Sequence, residues 1–370
     1  MSESVTPNVE FNGYIVRFKE DRVDKDGVED RVKGFEKKLL LNRGHAFKET
    51  VRGFSIKGNV PEKVIDMLRA DEDIEDIEPD IAVKASVQSI PWSFTRMGCK
   101  PTVYGVSNVR IFILDTGVQR THPDIWVTES LSFVAGETNT DDLNGHGTMS
   151  AGCAAARNNS THVVGPASGA PIHSYKVLDR YGSGSLSNII AAVDKVMLYK
   201  KQYPSTAVII NMSLGGYTGT TNYNSLDLAV QKAVALGITV VVAAGNDAAN
   251  AQHYTPAHSL EAITVGAYDK ANVLASFSNF GSVVDILAPG KDILTTGIGS
   301  TTKTASGTSF ACPYVAGVAA LFLSKNPTAT PAAVIAKLKS MAEQAGTSNP
   351  KITGLPTTDT TPWSVYLGTL

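Results

Sequence analysis

The chain has 370 residues, 43% of them hydrophobic and 18% charged, with a formal net charge of -2. That length supports one large core and a small second one, and the near-neutral balance offers no field for nucleic acid or an anionic membrane surface. The longest apolar runs, Ile238 to Ala244 and Val315 to Leu323, fall short of the ~18 residues that cross a bilayer, so a soluble protein with no membrane partner is expected.

Charge divides the chain. Met1 to Lys84 holds 15 basic and 19 acidic side chains, whereas the rest of the chain holds 18 and 16. A step of that size marks a boundary between a domain of residues 1–84 and one of residues 85–370. In the first, Gly13 to Lys19 reads as strand, Val23 to Leu41 as amphipathic helix, Phe47 to Ile56 as one or two strands and Pro61 to Arg69 as a second helix. Ile74 to Ile81 closes it as an edge strand, since Pro79 argues against a central place. The order is β-α-β-β-α-β, a small α+β, ferredoxin-like arrangement.

The second domain alternates: strand Val109 to Leu114, helix from about His146, strand Ile172 to Leu178, helix Ser187 to Lys201 and strand Val208 to Met212. Helix Ser225 to Leu236 follows, then strands Ile238 to Ala243, Ala262 to Ala267 and Val283 to Leu287, and a long helix from Thr308. Such alternation implies an α/β fold with a mostly parallel sheet and helices on both faces. Thr330-Pro331 supplies a helix cap and first-turn proline, and Gly346 stops that helix. The tail from Thr347 to Leu370, with three prolines, reads as irregular.

Three glycine-bearing islands carry the chemistry: Asp115-Thr116-Gly117, Asn144-Gly145-His146-Gly147-Thr148 and Ser306-Gly307-Thr308-Ser309-Phe310-Ala311. Asp-Thr-Gly alone is also an aspartic-protease motif, but that class needs two copies and one is present; Gly-His-Gly alone is compatible with a turn. The constellation discriminates, because Asp, His, Ser is the chain order of the subtilisin triad and not of chymotrypsin or the α/β-hydrolases. With Val242-Ala243-Ala244-Gly245-Asn246 and Asn211-Met212-Ser213-Leu214-Gly215, the chain from about Ala85 to Gln344 resembles the subtilisin-like serine proteases. Pro91-Trp92 and the Gly182-Ser183-Gly184 loop look most like the proteinase K branch.

The resemblance implies a subtilisin-like fold and a serine endopeptidase acting on polypeptides, with Asp115, His146 and Ser309 as triad and Asn246 as an oxyanion donor. It implies that Gly182, Ser183 and Gly184 face Ser213, Leu214 and Gly215 across an extended peptide. Ala243, Ala244, Gly245 and Gly182 would then wall a pocket for an apolar or aromatic residue before the cut, with no acidic residue in these segments to demand arginine. The first domain would be a propeptide that assists folding, inhibits, and is removed autocatalytically between roughly Lys84 and Val87, so the chain is read as a monomeric zymogen whose partners are its substrates and its own propeptide. The alternatives are a maturation protease with one natural substrate, a catalytically silent peptide-binding or inhibitory protein, and an unrelated ferredoxin-like adaptor at the N-terminus.

No cofactor is expected for catalysis. By resemblance, Asp285 with the carbonyls of Leu260 and Ala262 matches a structural calcium site, although Leu260 stands where the family often has proline. Two further departures are Met149-Ser150-Ala151-Gly152-Cys153 and Phe310, which replaces the usual methionine after the serine. Cys99, Cys153 and Cys312 lack disulfide or metal spacing, and Cys312 reads as buried filler, with a reactive thiol as the alternative. The six remaining histidines show no ligand spacing and read as structural or exposed. Family members are commonly secreted or vacuolar, yet Met1-Ser2-Glu3-Ser4-Val5 does not open a signal peptide, so the compartment stays open.

Overall fold

The computed structural model describes residues 11–49, 51–81, 88–101 and 106–367, so the expected cut near Lys84 to Val87 lies outside the described residues. The chain forms two compact units, Met1–Ala85 and Ser86–Leu370.

The first unit runs β1 (Phe11–Phe18), α1 (Val28–Leu39), β2 (Arg43–Phe47), β3 (Gly53–Lys57), α2 (Glu62–Arg69) and β4 (Ile74–Ile81). Its four strands lie antiparallel in the order β2-β3-β1-β4, which leaves the proline-bearing β4 at an edge. Phe18, Phe35 and Phe54 meet with ring centroids 5.7 to 6.2 Å apart and form the centre of its small core. The first helix starts five residues later than the apolar pattern suggests, because the Asp24 carboxylate accepts the Gly27 N–H and closes a turn there. Arg17, Arg22, Arg31 and Arg43 each pair with two carboxylates on the surface of this unit.

The second unit opens with α3 (Trp92–Arg96), β5 (Val109–Asp115), β6 (Val127–Ser132), α4 (His146–Ala155), β7 (Ile172–Lys176) and α5 (Leu186–Gln202). It continues through β8 (Ala207–Met212), β9 (Gly216–Tyr217), α6 (Ser225–Ala235), β10 (Thr239–Ala243), β11 (Tyr254–Thr255), β12 (Ile263–Tyr268) and β13 (Ile286–Pro289). It ends with β14 (Ile293–Gly297), β15 (Thr301–Ala305), α7 (Thr308–Lys325) and α8 (Pro331–Gln344). Seven strands form a parallel sheet in the order β13-β12-β10-β8-β5-β7-β6.

Alternate residues of each strand feed two different cores. Ile111 and Ile113 pack with Val315 and Val318 of α7 on one face, while Phe112 and Leu114 pack with Val193 of α5 and Val230 of α6 on the other. Burial on both faces is why these strands read as continuous apolar runs. α7, at 18 residues, is long and apolar enough to span a bilayer by length and composition, but 78% of it is buried within the fold and it serves as the core helix. The tail is not idle: Leu287 donates to the Trp363 carbonyl and accepts from the Val365 N–H, so residues 363–365 cover the open edge of β13.

Candidate active site

The central strand β5 ends on Asp115, which is fully buried. Its Oδ1 accepts the Thr116 N–H at 2.7 Å and lies 2.7 Å from His146 Nδ1, and its Oδ2 accepts the Ser150 hydroxyl at 3.3 Å. His146 opens α4. The close approach of that helix to the Asp115 loop depends on Gly147, since a Cβ there would overlap the Gly117 carbonyl. Asp142 fastens the same corner: its buried carboxylate accepts the hydroxyls of Thr116 and Thr148 and the N–H groups of Asn144, Gly145 and Thr148 at 2.7 to 3.0 Å.

A carboxylate on Nδ1 fixes the proton there and leaves the Nε2 lone pair to act as base. Burial opposes the imidazolium, but the charge and hydrogen bond of Asp115, with Asp142 adding, outweigh it and hold the His146 pKa above its ordinary value.

Ser309 is the second residue of α7 and is half-buried. The ring of the next residue, Phe310, is buried with its centroid 5.5 Å from that of His146, so the start of α7 lies against the imidazole. Among the described residues no hydrogen bond joins Ser309 Oγ to His146, a contact that commonly tightens only when substrate arrives. A proline inside α7 explains how the serine is otherwise held. Pro313 has no N–H for the carbonyl four residues earlier, and that carbonyl, on Ser309, accepts instead the Ser213 hydroxyl at 2.7 Å. Ser213 is in turn held by the Asn211 amide at 3.0 Å, and Asn211 Oδ1 accepts the Cys312 thiol at 3.2 Å. Cys312 is fully buried and burial pushes its pKa far up, so it is a packing thiol and not a nucleophile.

Asn246 follows β10. Its Oδ1 accepts both the N–H (2.8 Å) and the hydroxyl (3.0 Å) of Thr308, which fixes the orientation of the amide. Among the described residues its Nδ2 and the Ser309 N–H have no partner. Both residues line a cavity of about 270 Å³, walled by Ala243, Ala244, Gly245, Leu214, Gly215 and Tyr254. An unpaired helix-start N–H beside an unpaired amide is a site for developing negative charge.

A second cavity, of about 590 Å³, adjoins it along Leu214, Gly215, Gly216 and Thr255. His146, Gly182, Ser183, Gly184 and Ser213 are also among its lining residues, so the two expected peptide-binding segments border one groove. Gly182 belongs to this larger cavity and does not wall the smaller one with Ala243 to Gly245, because the Asp179 carboxylate caps the Tyr181 and Ser183 N–H groups and folds residues 179–184 into a hairpin over the groove. Asp247 lines the smaller cavity, an acidic group that the motif segments stop one residue short of. Tyr217, Tyr254 and Thr255 are further lining residues invisible in the sequence, brought in by the pairing of β9 with β11.

The Asp285 carboxylate expected to hold calcium already has partners. Lys339 Nζ lies 2.8 Å from Asp285 Oδ1 and the Thr264 N–H occupies Oδ2 at 3.0 Å, so a cation there would have to displace an ammonium group. Leu260 is largely exposed and its N–H is bonded to the Tyr223 hydroxyl, whereas Ala262 is buried. Among the described residues no group of three or more His, Cys, Asp or Glu is placed to hold a metal ion. Three of the remaining histidines pair with carboxylates away from the triad, His162 with Asp124, His173 with Glu129 and His258 with Asp227.

The profile of the subtilase family, Peptidase_S8, matches residues 107–355. Subtilisin NAT of Bacillus subtilis subsp. natto is 40% identical over 295 residues, covering 78% of this chain and 75% of its own. M-protease of Shouchella clausii (strain KSM-K16) is 37% identical over 347 residues, covering 91% and 87%. Among solved structures, a cold adapted subtilisin-like serine proteinase aligns with a TM-score of 0.60 at 33% identity over 72% of this chain and 90% of its own. Sphericase aligns with a TM-score of 0.67 at 28% identity over 77% and 100%. Matched over most of its length in both sequence and fold, the chain belongs to the subtilase family and is a serine-type endopeptidase.

Proposed function

We propose that the chain is the zymogen of a broad-specificity subtilisin-like endopeptidase. The observation that carries this reading is the 2.7 Å Asp115–His146 contact at the foot of a groove that also holds Ser309 and two unpaired donors. Ser309 attacks the scissile carbonyl while His146 Nε2 takes its proton, and His146 later returns that proton to the leaving amine. Asp115 holds the tautomer and stabilises the imidazolium. The Ser309 N–H and Asn246 Nδ2 receive the oxyanion, and the acyl-enzyme is then hydrolysed by water through the same groups.

The strands around Gly182–Gly184 and Ser213–Gly215 bind the peptide backbone, which accounts for tolerance of sequence. The small side chains of Ala243 and Ala244 favour an apolar or aromatic residue before the cut. The unit of residues 1–85 acts as inhibitor and folding assistant and is cut off near Lys84 to Val87. Pro91-Trp92 and the 182–184 loop argue for a proteinase K branch, but the relatives above are bacterial subtilisins and proteases, so the broader family reading is kept. No structural calcium is proposed at Asp285, where Lys339 already neutralises the carboxylate.

Expression of the wild-type chain beside Ser309→Ala, read by gel and intact mass, tests the proposal. Processing of the wild type alone is expected, together with labelling of Ser309 by a fluorophosphonate. An uncut wild type, or a mutant cut equally, would overturn it.

A further inference from the structure

Behind the wall of the smaller cavity lies a buried Asp–His pair that the reaction does not use. Asp227, in the first turn of α6, and His258 are 0% and 3% exposed. His258 Nε2 lies 2.8 Å from Asp227 Oδ2, and its Nδ1 lies 3.0 Å from the Gln252 carbonyl oxygen. A carbonyl oxygen can only accept, and the carboxylate is an acceptor in its other contacts too, taking the hydroxyls of Ser259 (2.6 Å) and Thr255 (2.9 Å) on Oδ1 and the Asn224 N–H (2.8 Å) on Oδ2. Burial raises the Asp227 pKa, but the bonds from Ser259, Asn224, His258 and Thr255 outweigh it and hold the group below the usual carboxylate value. Both imidazole nitrogens therefore face acceptor oxygens, and the ring bridges Asp227 to the Gln252 carbonyl.

The other titratable groups nearby are Tyr223, whose ring stacks on His258 at 5.8 Å and whose hydroxyl donates to Glu261, and His253, which meets the Gln252 side chain at 3.2 Å. The pair controls one wall. Thr255, held by Asp227, lines both cavities, and with Tyr254 it pairs with β9, which continues directly from Ser213-Leu214-Gly215. Ala257, next to His258, lines the smaller cavity, and the His258 N–H donates to the Tyr254 carbonyl at 2.9 Å.

We propose that the Asp227–His258 pair positions the Tyr254–Ala257 wall of the substrate cavity, so that losing the pair weakens peptide binding and not the chemical step. This rests on reading that cavity as the pocket for the residue before the cut. Removing the imidazole leaves the Asp227 carboxylate buried without one of its partners and frees the Gln252 carbonyl, so the wall loses two of its ties at once.

The experiment compares the wild-type chain with His258→Gln and with the Asp227→Asn/His258→Gln double variant by steady-state kinetics on a peptide anilide, and follows the Tyr254 and Thr255 amides by resonance in the full-length Ser309→Ala background. In His258→Gln, KM is expected to rise by about tenfold at constant kcat, with shifts at both amides, and to rise less in the double variant, where no buried carboxylate is left without its partner. An unchanged KM, or a kcat that falls while KM holds, would overturn the proposal. The resonance arm needs no turnover, so shifts at both amides in a chain that cleaves nothing would support the positioning role and count against the peptidase reading alone.

Discussion

His146 sets how the enzyme responds to acid. Its pKa is raised, and only the neutral ring can take the Ser309 proton, so activity is lost as pH falls through that raised value. The acid limb of kcat/KM is therefore expected above the ordinary histidine value of about 6.5, and a limb at or below it in a rate profile would contradict the geometry. The same Asp115 contact has the opposite sign for stability: it favours the protonated ring, so its contribution is present at low pH and fades as pH rises through the folded pKa. In the proposed mechanism Asn246 acts on the transition state alone. Its Oδ1 is already held by Thr308, so replacing it by alanine removes one of the two free donors, Nδ2, with little effect expected on ground-state binding. Asn246→Ala is expected to lower kcat by about 10²- to 10³-fold at nearly constant KM, the magnitude known from the equivalent loss in subtilisin, as read by steady-state kinetics.

At the scale of elements, α7 joins the nucleophile to the peptide-binding segment through the missing N–H of Pro313. Ser213→Ala would strand the Ser309 carbonyl and is expected to cost about 1–3 kcal/mol. With Pro313→Ala beside it, the helix can satisfy that carbonyl itself and the cost should shrink. Chemical denaturation in the Ser309→Ala background measures both, followed by tryptophan fluorescence, since Trp92, Trp126 and Trp363 all lie in the second unit. Equal costs with and without Pro313 would show that the carbonyl is not the reason. The long strands of the sheet were legible because burial on both faces makes them uniformly apolar. Other elements were not: β6 (VTESLS) and β15 (TTKTA) are polar, and β9 and β11 are two residues each, too short for any period. β13 begins three residues after its apolar run does, since Gly281 to Val284 form a turn first.

Across the whole molecule, the two units differ in what holds them. The second has two extensive cores, whereas the first has one small core under a dense set of surface ion pairs. Arg43 holds Glu29, and Arg17 holds Asp76, below their usual pKa values by hydrogen bond and charge. A depressed folded pKa gives stability that is present above the unfolded value and lost as pH falls through the folded one. These groups are exposed and screened, so each contributes little, but their number predicts that the first unit loosens before the second in acid. Hydrogen exchange of the Ser309→Ala chain at falling pH measures this; earlier loss of protection in residues 88–367 would refute it.

The sequence by itself determined the fold class and the alternation of elements, and it singled out Asp115, His146, Ser309 and Asn246 as candidates, because backbone geometry at those points demands glycines that leave a local pattern. Tertiary structure alone decided the rest. Gly182 moved to the larger cavity, Asp247 and Tyr254 joined the smaller one, Lys339 took the carboxylate expected to bind calcium, and Asp227 found His258. Each of these depends on side chains distant in sequence meeting across packed elements, and no local period or motif records which partner a charge will find.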